Sequence, residues 1–505
     1  MSVQIESSPT APEIRIAGSD RAPLVELVQR YRADGAVPFS GPGHKLGAGA
    51  APELLDLMGG VFASDVWLDT GGFDQALRDA EALAADVWGS ETCFFLGNGS
   101  SSGNHAFLLG TLGPGDEVVV ARDLHKSLLA ALILTGARPV YVAPRLHRTL
   151  GVGLGVHPDD VAAALDAHPA ARLVVVTSPS YFGVAADLPA VVAAAHSRAV
   201  PVYVDEAWGP HLGFHPRLPS SAMAAGADAA VTSTHKLLSS LSQSSILNVR
   251  WGRLPAGRLE AAVKLTQTTS PLLPLLASVD ACRRQMAGNG QALLERALEL
   301  AETARQRLRR LPGLRLLDAD SLSLARHRFD PTRLVVDVTG LGLTGLAAER
   351  VLREGCALAP EGSDLSSVVC LVTLGDSDRS IDQLVGAFTK LCAGRPAVAR
   401  PAPAPRSSGS VIGPGPLAMT PREAFFAPTR ALAVVDAAGH VAAELVTPYP
   451  PGIPVLAPGE LITAAKLSYL IAARANGVHL RGPADPTLAT IRVVAAERSE
   501  PPWTT

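Results

Sequence analysis

Between residues 83 and 250, short apolar runs alternate with helix-length, alanine-rich stretches. The runs fall at 117–121, 139–143, 173–177, 201–205, 229–232 and 246–249, and most are rich in valine. Strands that are apolar at nearly every position, not at every second one, are covered on both faces. The pattern therefore predicts an α/β fold with a mostly parallel sheet between helical layers, two of the helices spanning 159–167 and 188–196. Beyond residue 285 the pattern predicts a long helix at 291–311, a strand at 333–338, a helix at 346–354 and a strand at 368–373, as in a smaller α+β domain. Residues 394–416 are Pro-, Ala-, Ser- and Gly-rich and read as a linker. The expected division is an N-terminal segment 1–37, a large domain 38–285, a small domain 286–393, the linker, and a C-terminal α+β module 417–505.

Bulk properties narrow the function classes. The 505 residues, 47% of them apolar, are enough for two or three cores. A formal net charge of -3 gives no electrostatic case for nucleic acid or an anionic membrane. Residues 1–22 lack the apolar core of a secretory signal, and no apolar stretch reaches the ~18 residues of a membrane span. The five cysteines show neither a C-x-x-C pair nor metal-ligand spacing, so a cytoplasmic protein with reduced thiols and no metal is expected.

Ligands of such sheets collect at the carboxyl ends of strands, and the chemistry-bearing residues follow the apolar runs. Asp205 ends one run; Lys236, in Ser233-Thr234-His235-Lys236, follows the next. An amine that can condense with an aldehyde, and a carboxylate that can keep a pyridine nitrogen protonated, are what a pyridoxal-phosphate site needs. Gly97-Asn98-Gly99-Ser100-Ser101-Ser102-Gly103-Asn104 precedes an apolar helix. Its free N–H groups and hydroxyls suit a phosphate, though a plain loop has the same composition. Asp123-Leu124-His125-Lys126-Ser127 either supplies a histidine to lie against the ring or caps a helix through Asp123 or Ser127.

Taken together, these residues resemble the Orn/Lys/Arg decarboxylases. The run 231–245 matches the attachment signature of that family, and its companions are Gly41-Pro42-Gly43-His44-Lys45, Asn98-Gly99-Ser100-Ser101, Asp123-x-His125-Lys126-Ser127, Ser178-Pro179-Ser180-Tyr181-x-Gly183 and Asp205-x-Ala207. Beyond the linker the resemblance resumes at Pro421-Arg422-Glu423-Ala424-Phe425-Phe426 and Tyr449-Pro450-Pro451-Gly452-Ile453-Pro454. It implies a fold-type-I, aspartate-aminotransferase-like enzyme that uses pyridoxal phosphate to decarboxylate arginine, lysine or ornithine, forming an amine of polyamine metabolism. In that reading Lys236 bears the cofactor, Asp205 pairs with its ring nitrogen and His125 stacks on its face. Ser100, Ser101, Ser233 and His235 hold the phosphate, and Trp208 matches a tryptophan found near the aspartate in some members.

Two departures bear on the substrate. Many members have Asp-Val-Thr-Glu where this chain has Asp65-Val66-Trp67-Leu68, and Asp-Glu-Ala-His where it has Asp205-Glu206-Ala207-Trp208. Trp67 and Glu444 are the candidate substrate contacts; for Glu444 the competing reading is a surface acid. Without the added N-terminal domain of the large members, a homodimer or dimer of dimers is expected. Transamination or oxidative deamination is the alternative reaction, and an inactive cofactor-binding regulator a third reading.

Overall fold

The computed structural model describes residues 18–35, 37–66, 72–147, 152–325, 328–394, 411, 413–449 and 452–495. Most of the expected linker, and Trp67, lie outside the described residues. Helices α1 (Pro23–Ala33), α2 (Pro52–Phe62) and α3 (Phe73–Trp88) lead into β1 (Thr92–Leu96) and α4 (Gly99–Thr111). Then follow β2 (Glu117–Ala121), α5 (Lys126–Thr135), β3 (Arg138–Val142), α6 (Pro158–Ala167), β4 (Val174–Thr177), α7 (Leu188–His196) and β5 (Val202–Asp205). The large sheet closes with β6 (Ala229–Thr232), the short α8 (Thr234–Leu237) and β7 (Ser245–Val249).

These seven strands form one sheet in the order β1-β7-β6-β5-β4-β2-β3. Strands β3, β2, β4, β5 and β6 pair in parallel, while β7 is antiparallel to both β6 and β1. The mostly parallel sheet was legible in the apolar runs. Strand β1 was not: its Thr-Cys-Phe-Phe-Leu sequence lacks the valine signature. Because β7 alone runs backwards, the carboxyl ends of β1, β2, β4, β5 and β6 share one edge with the start of β7. Helix α4 lies against that sheet closely enough that a Cβ on Gly103 would come within 2.6 Å of Val231 Cγ2. Only a glycine fits there.

Helix α9 (Ala256–Thr266) precedes α10, which runs unbroken over Leu273–Leu308, beginning well before the expected 291. From Leu273 to Leu298 it packs in the core around Trp88 and Phe95, and from Leu300 it packs in the next core. The handover between cores therefore lies inside one helix, and the expected division at 285 falls within it. Strands β8 (Arg315–Leu317), β9 (Arg333–Asp337), β10 (Gly362–Ser363) and β11 (Ser367–Leu371) make an antiparallel sheet ordered β10-β11-β9-β8, backed by α10, α11 (Gly345–Cys356) and α12 (Asp378–Ala393). Its other face, with Leu317, Val335 and Val369, packs on Val152 and Val184 of the large sheet's connections. The C-terminal module pairs β12 (Thr429–Ala433) with β15 (Thr490–Val494), and β13 (Thr447–Tyr449) with β14 (His479–Arg481), around its own core. Among the described residues no helix is long and apolar enough to cross a membrane.

One buried ionic cluster ties that module to the large sheet. Arg122, the residue after β2, donates to Glu460 from Nε at 2.7 Å and from Nη2 at 2.9 Å, and to the Pro454 carbonyl at 2.7 Å. Lys466 Nζ reaches the same carboxylate at 2.9 Å. All three side chains are buried. Burial by itself would raise the pKa of Glu460, but Arg122 and Lys466 hold it below the ordinary 4.5. Its stabilisation is thus fully present above that value and is lost as pH falls through the lower folded value. Removing one member leaves buried charge without compensation. Glu460→Ala should therefore lower unfolding free energy by about 3–5 kcal/mol in urea titrations; a loss under 1 kcal/mol would refute this role.

Candidate active site

The carboxyl edge of the large sheet gathers the residues singled out in the sequence. Lys236 sits in α8, the single turn after β6, and is partly buried. Its Nζ lies 3.9 Å from the centroid of the Trp208 ring. Burial pushes its pKa down to about 8; Asp205 and Glu361 act upward and Arg333 downward. The serine-rich tail behind it is a brace: Ser240 Oγ lies 2.8 Å from Thr234 Oγ1 and 2.6 Å from Ser244 Oγ. His235 Nδ1 lies 2.6 Å from the Ser244 carbonyl, to which it donates. These bonds fix the turn and leave Lys236 free to point inward.

Asp205, the last residue of β5, is buried. It accepts from Asn104 Nδ2 at 3.0 Å and from the Ala207 N–H at 3.2 Å. Asn104 is the hub of a relay: it accepts from Tyr203 Oη at 2.7 Å and donates to Ser127 Oγ at 2.8 Å. Ser127 Oγ lies 2.8 Å from His125 Nδ1, which also accepts the Ser127 N–H at 3.3 Å. His125 is therefore itself the N-cap of α5, a role the sequence reading had offered to Asp123 or Ser127. With Nδ1 accepting, the imidazole is held neutral, consistent with a pKa lowered by burial and by Lys236 against the pull of Asp205.

Ser100 and Ser233 are buried and meet at 2.7 Å between their hydroxyl oxygens, so the first turn of α4 touches the turn after β6. Ser101 is partly buried on that same first turn, which has no side-chain cap. Uncapped N–H groups and hydroxyls at a helix start form an anion-binding cradle. Beside it stand a buried carboxylate, a lysine of depressed pKa and a neutral histidine. These residues fit pyridoxal phosphate.

Sequence reasoning missed three members of this edge. Asn104 was quoted but given no role, although its i, i+4 spacing from Ser100 puts both on one helical face. Arg333, the first residue of β9, lies with its guanidinium carbon 4.5 Å over Trp208, and Glu361 precedes β10. Glu361 acts electrostatically on Lys236 and Arg333; burial raises its pKa, and those two cations oppose the rise. Glu444 behaves differently. It is buried, and its two oxygens accept the Ala484 N–H at 2.7 Å and the Arg492 N–H at 2.8 Å. It is neither a surface acid nor joined by these bonds to the Lys236 cluster; its contacts stay within the C-terminal module.

Comparison with known proteins agrees with this geometry. The model of the Orn/Lys/Arg decarboxylase major domain matches residues 22–380, and that of the C-terminal domain matches 415–484. The chain belongs to the Orn/Lys/Arg decarboxylase family. It is 40% identical over 484 residues to an arginine decarboxylase of Halalkalibacterium halodurans, covering 94% of this chain and 98% of the relative. An arginine decarboxylase of Bacillus subtilis is 38% identical over 485 residues, with the same coverage. The solved lysine decarboxylase of Francisella novicida superposes with a TM-score of 0.80 at 22% identity, over 94% of this chain and 81% of that one. The fold is thus that of the fold-type-I decarboxylases, and the chain is a decarboxylase acting on basic amino acids.

The Asn104 hub generates a prediction. Asn104→Ala leaves Tyr203 Oη, Asp205 Oδ2 and Ser127 Oγ each short of a partner. Stability should fall by about 1–3 kcal/mol, and the purified variant should retain less cofactor through gel filtration than wild type. Unchanged stability and retention together would remove Asn104 from the site.

Proposed function

We propose that this decarboxylase acts on arginine, releasing carbon dioxide and the corresponding amine, with pyridoxal phosphate held at the carboxyl edge of the large sheet. The observation that carries the reaction is the Lys236–Asp205 pair at adjacent strand ends. Arginine is favoured by the relatives of that name, which align over nearly their whole length.

Lys236 would bear the cofactor covalently, and its amine, with a pKa near 8, exchanges protons readily around neutral pH. Asp205 would face the ring nitrogen, and its hydrogen bonds from Asn104 and Ala207 fix its orientation. His125, neutral and anchored by Ser127, would lie on the ring face. Ser100, Ser101, Ser233 and His235 would hold the phosphate. When bound, the cofactor supplies a sink for the electron pair left by the departing carboxylate. The chain's own contribution is to hold that sink protonated through Asp205 and to position a proton donor, Lys236, beside it.

Glu361 is the acid we assign to the far, cationic end of the substrate in place of Glu444. It is exposed toward solvent yet within electrostatic reach of Lys236 and Arg333. A carboxylate there suits a guanidinium, which it can bind through two parallel hydrogen bonds. Trp67 remains a substrate-contact proposal outside the described residues.

We further propose a cytoplasmic homodimer, or dimer of dimers. Helix α2 has no buried residue, Leu57 is 79% exposed, and Phe39 nearby in sequence is 95% exposed. Large apolar side chains this exposed mark a contact surface. Leu57→Glu should shift the protein toward monomer in light scattering; an unchanged mass, or a monomeric wild type, would refute it.

The decisive assay offers a panel of amino acids to the purified protein and measures carbon dioxide and amine. Arginine should give both, and Lys236→Ala should lose turnover together with the visible absorbance of the lysine-bound cofactor. Keto-acid formation, or no release from any basic amino acid, would overturn the reading.

A further inference from the structure

The small domain reaches the aromatic ring beside Lys236 through Arg333. Arg333 is fully buried at the start of β9. Its Nε lies 3.5 Å from Asp330, which is held in turn by His211 Nε2 at 3.1 Å and by the Thr332 N–H and hydroxyl at 2.9 and 2.6 Å. Its Nη2 donates to the Trp208 carbonyl at 3.0 Å. The place is cleared for it: a Cβ on Gly183, whose φ is +84°, would come within 2.5 Å of Arg333 Cγ. The guanidinium is thus locked over the Trp208 indole from one side of the site, while Lys236 Nζ approaches the same indole at 3.9 Å.

Two cations therefore engage one aromatic ring. Each is attracted by the ring's quadrupole, but in a partly dehydrated site they repel each other strongly. Only one can escape by losing its proton, because a guanidinium stays charged in proteins. We propose that Arg333 is a positioning residue acting through Trp208: it fixes the indole as a shelf for Lys236, and its permanent charge disfavours a second positive charge on the Lys236 nitrogen. This rests on the reading of Lys236 as the cofactor-bearing residue. The groups that interact electrostatically with Lys236 are Asp205 from β5, Glu361 before β10, His125 at the start of α5, His235 within α8, and Arg333 from β9. Asp205 and Glu361 favour the ammonium form; Arg333, fixed and always charged, opposes them together with burial.

The test titrates the visible absorbance of the cofactor-loaded protein against pH in wild type, Arg333→Met and Arg333→Lys. The midpoint should rise by about one pH unit in Arg333→Met, the size expected on losing a nearby like charge, and return toward wild type in Arg333→Lys. An unmoved midpoint in fully loaded Arg333→Met overturns the proposal. So does a raised KM with no change in midpoint, which would mark Arg333 as a substrate-holding group instead. Should the methionine variant fail to fold, Arg333→Gln, which keeps a donor for the Trp208 carbonyl, gives the same readout. A wild-type protein with no visible band would remove the cofactor reading itself, whereas a normal wild-type band with no shift removes only the role of Arg333.

Discussion

A carboxylate in a protein interior needs its lone pairs matched by fixed donors, because little water is there to fill them. Asp205 imposes that constraint on the large sheet. Asn104 reaches it from α4, and so α4 must lie close over the sheet; Gly103, against Val231, makes that approach sterically possible. Asn104 is itself satisfied by Tyr203 from β5 and by Ser127 from α5. Meeting the needs of one carboxylate thus sets the relative positions of β5, α4 and α5. The first turn of α4, with Ser100 against Ser233, is placed by the same packing.

The C-terminal module is tied to this edge by an independent interaction. Arg122 stands three residues before His125, and its charge is answered by Glu460, a carboxylate it shares with Lys466, both from the far end of the chain. A buried Arg–Glu–Lys cluster is not an efficient source of stability compared with apolar packing. Its geometry is directional, however, and it fixes where the turn carrying His125 begins. A wholly apolar contact would hold the module as firmly but would allow that turn more positions.

Much of this was readable in the sequence because the large sheet is made of locally consistent signals. Valine-rich runs ended in polar residues, and those ends proved to be the shared edge carrying Asp205, His125 and Lys236. What escaped were features whose cause is tertiary. Strand β1 is short and aromatic, and is recognisable only from its pairing with β7. Helix α10 was expected to start at 291 because residues 273–290 are buried on too many sides to show a single apolar stripe. Arg333 looked like an ordinary strand residue, since nothing local shows that Trp208 lies 125 positions earlier in sequence and next to it in space. The burial of Glu444 escaped for the converse reason: its partners are backbone N–H groups, which sequence does not display.

The positions of these residues separate two tasks between two scaffolds. Groups suited to the cofactor come from the ends of strands in the large sheet, a rigid platform whose register is fixed by parallel pairing. Arg333 and Glu361, which act on Lys236 from the other side, come from the small antiparallel sheet, which meets the large one through the side-chain layer around Val335, Val369 and Val184. Trp208 is where the two meet, since it belongs to the turn after β5 yet carries both Lys236 and Arg333 on its ring. A change in how the small sheet docks would therefore be felt at the lysine without any change in the strand that bears it. On this arrangement, substitutions in the small domain can alter the surroundings of Lys236 through Trp208, while the Asn104–Asp205 network stays a property of the large sheet alone.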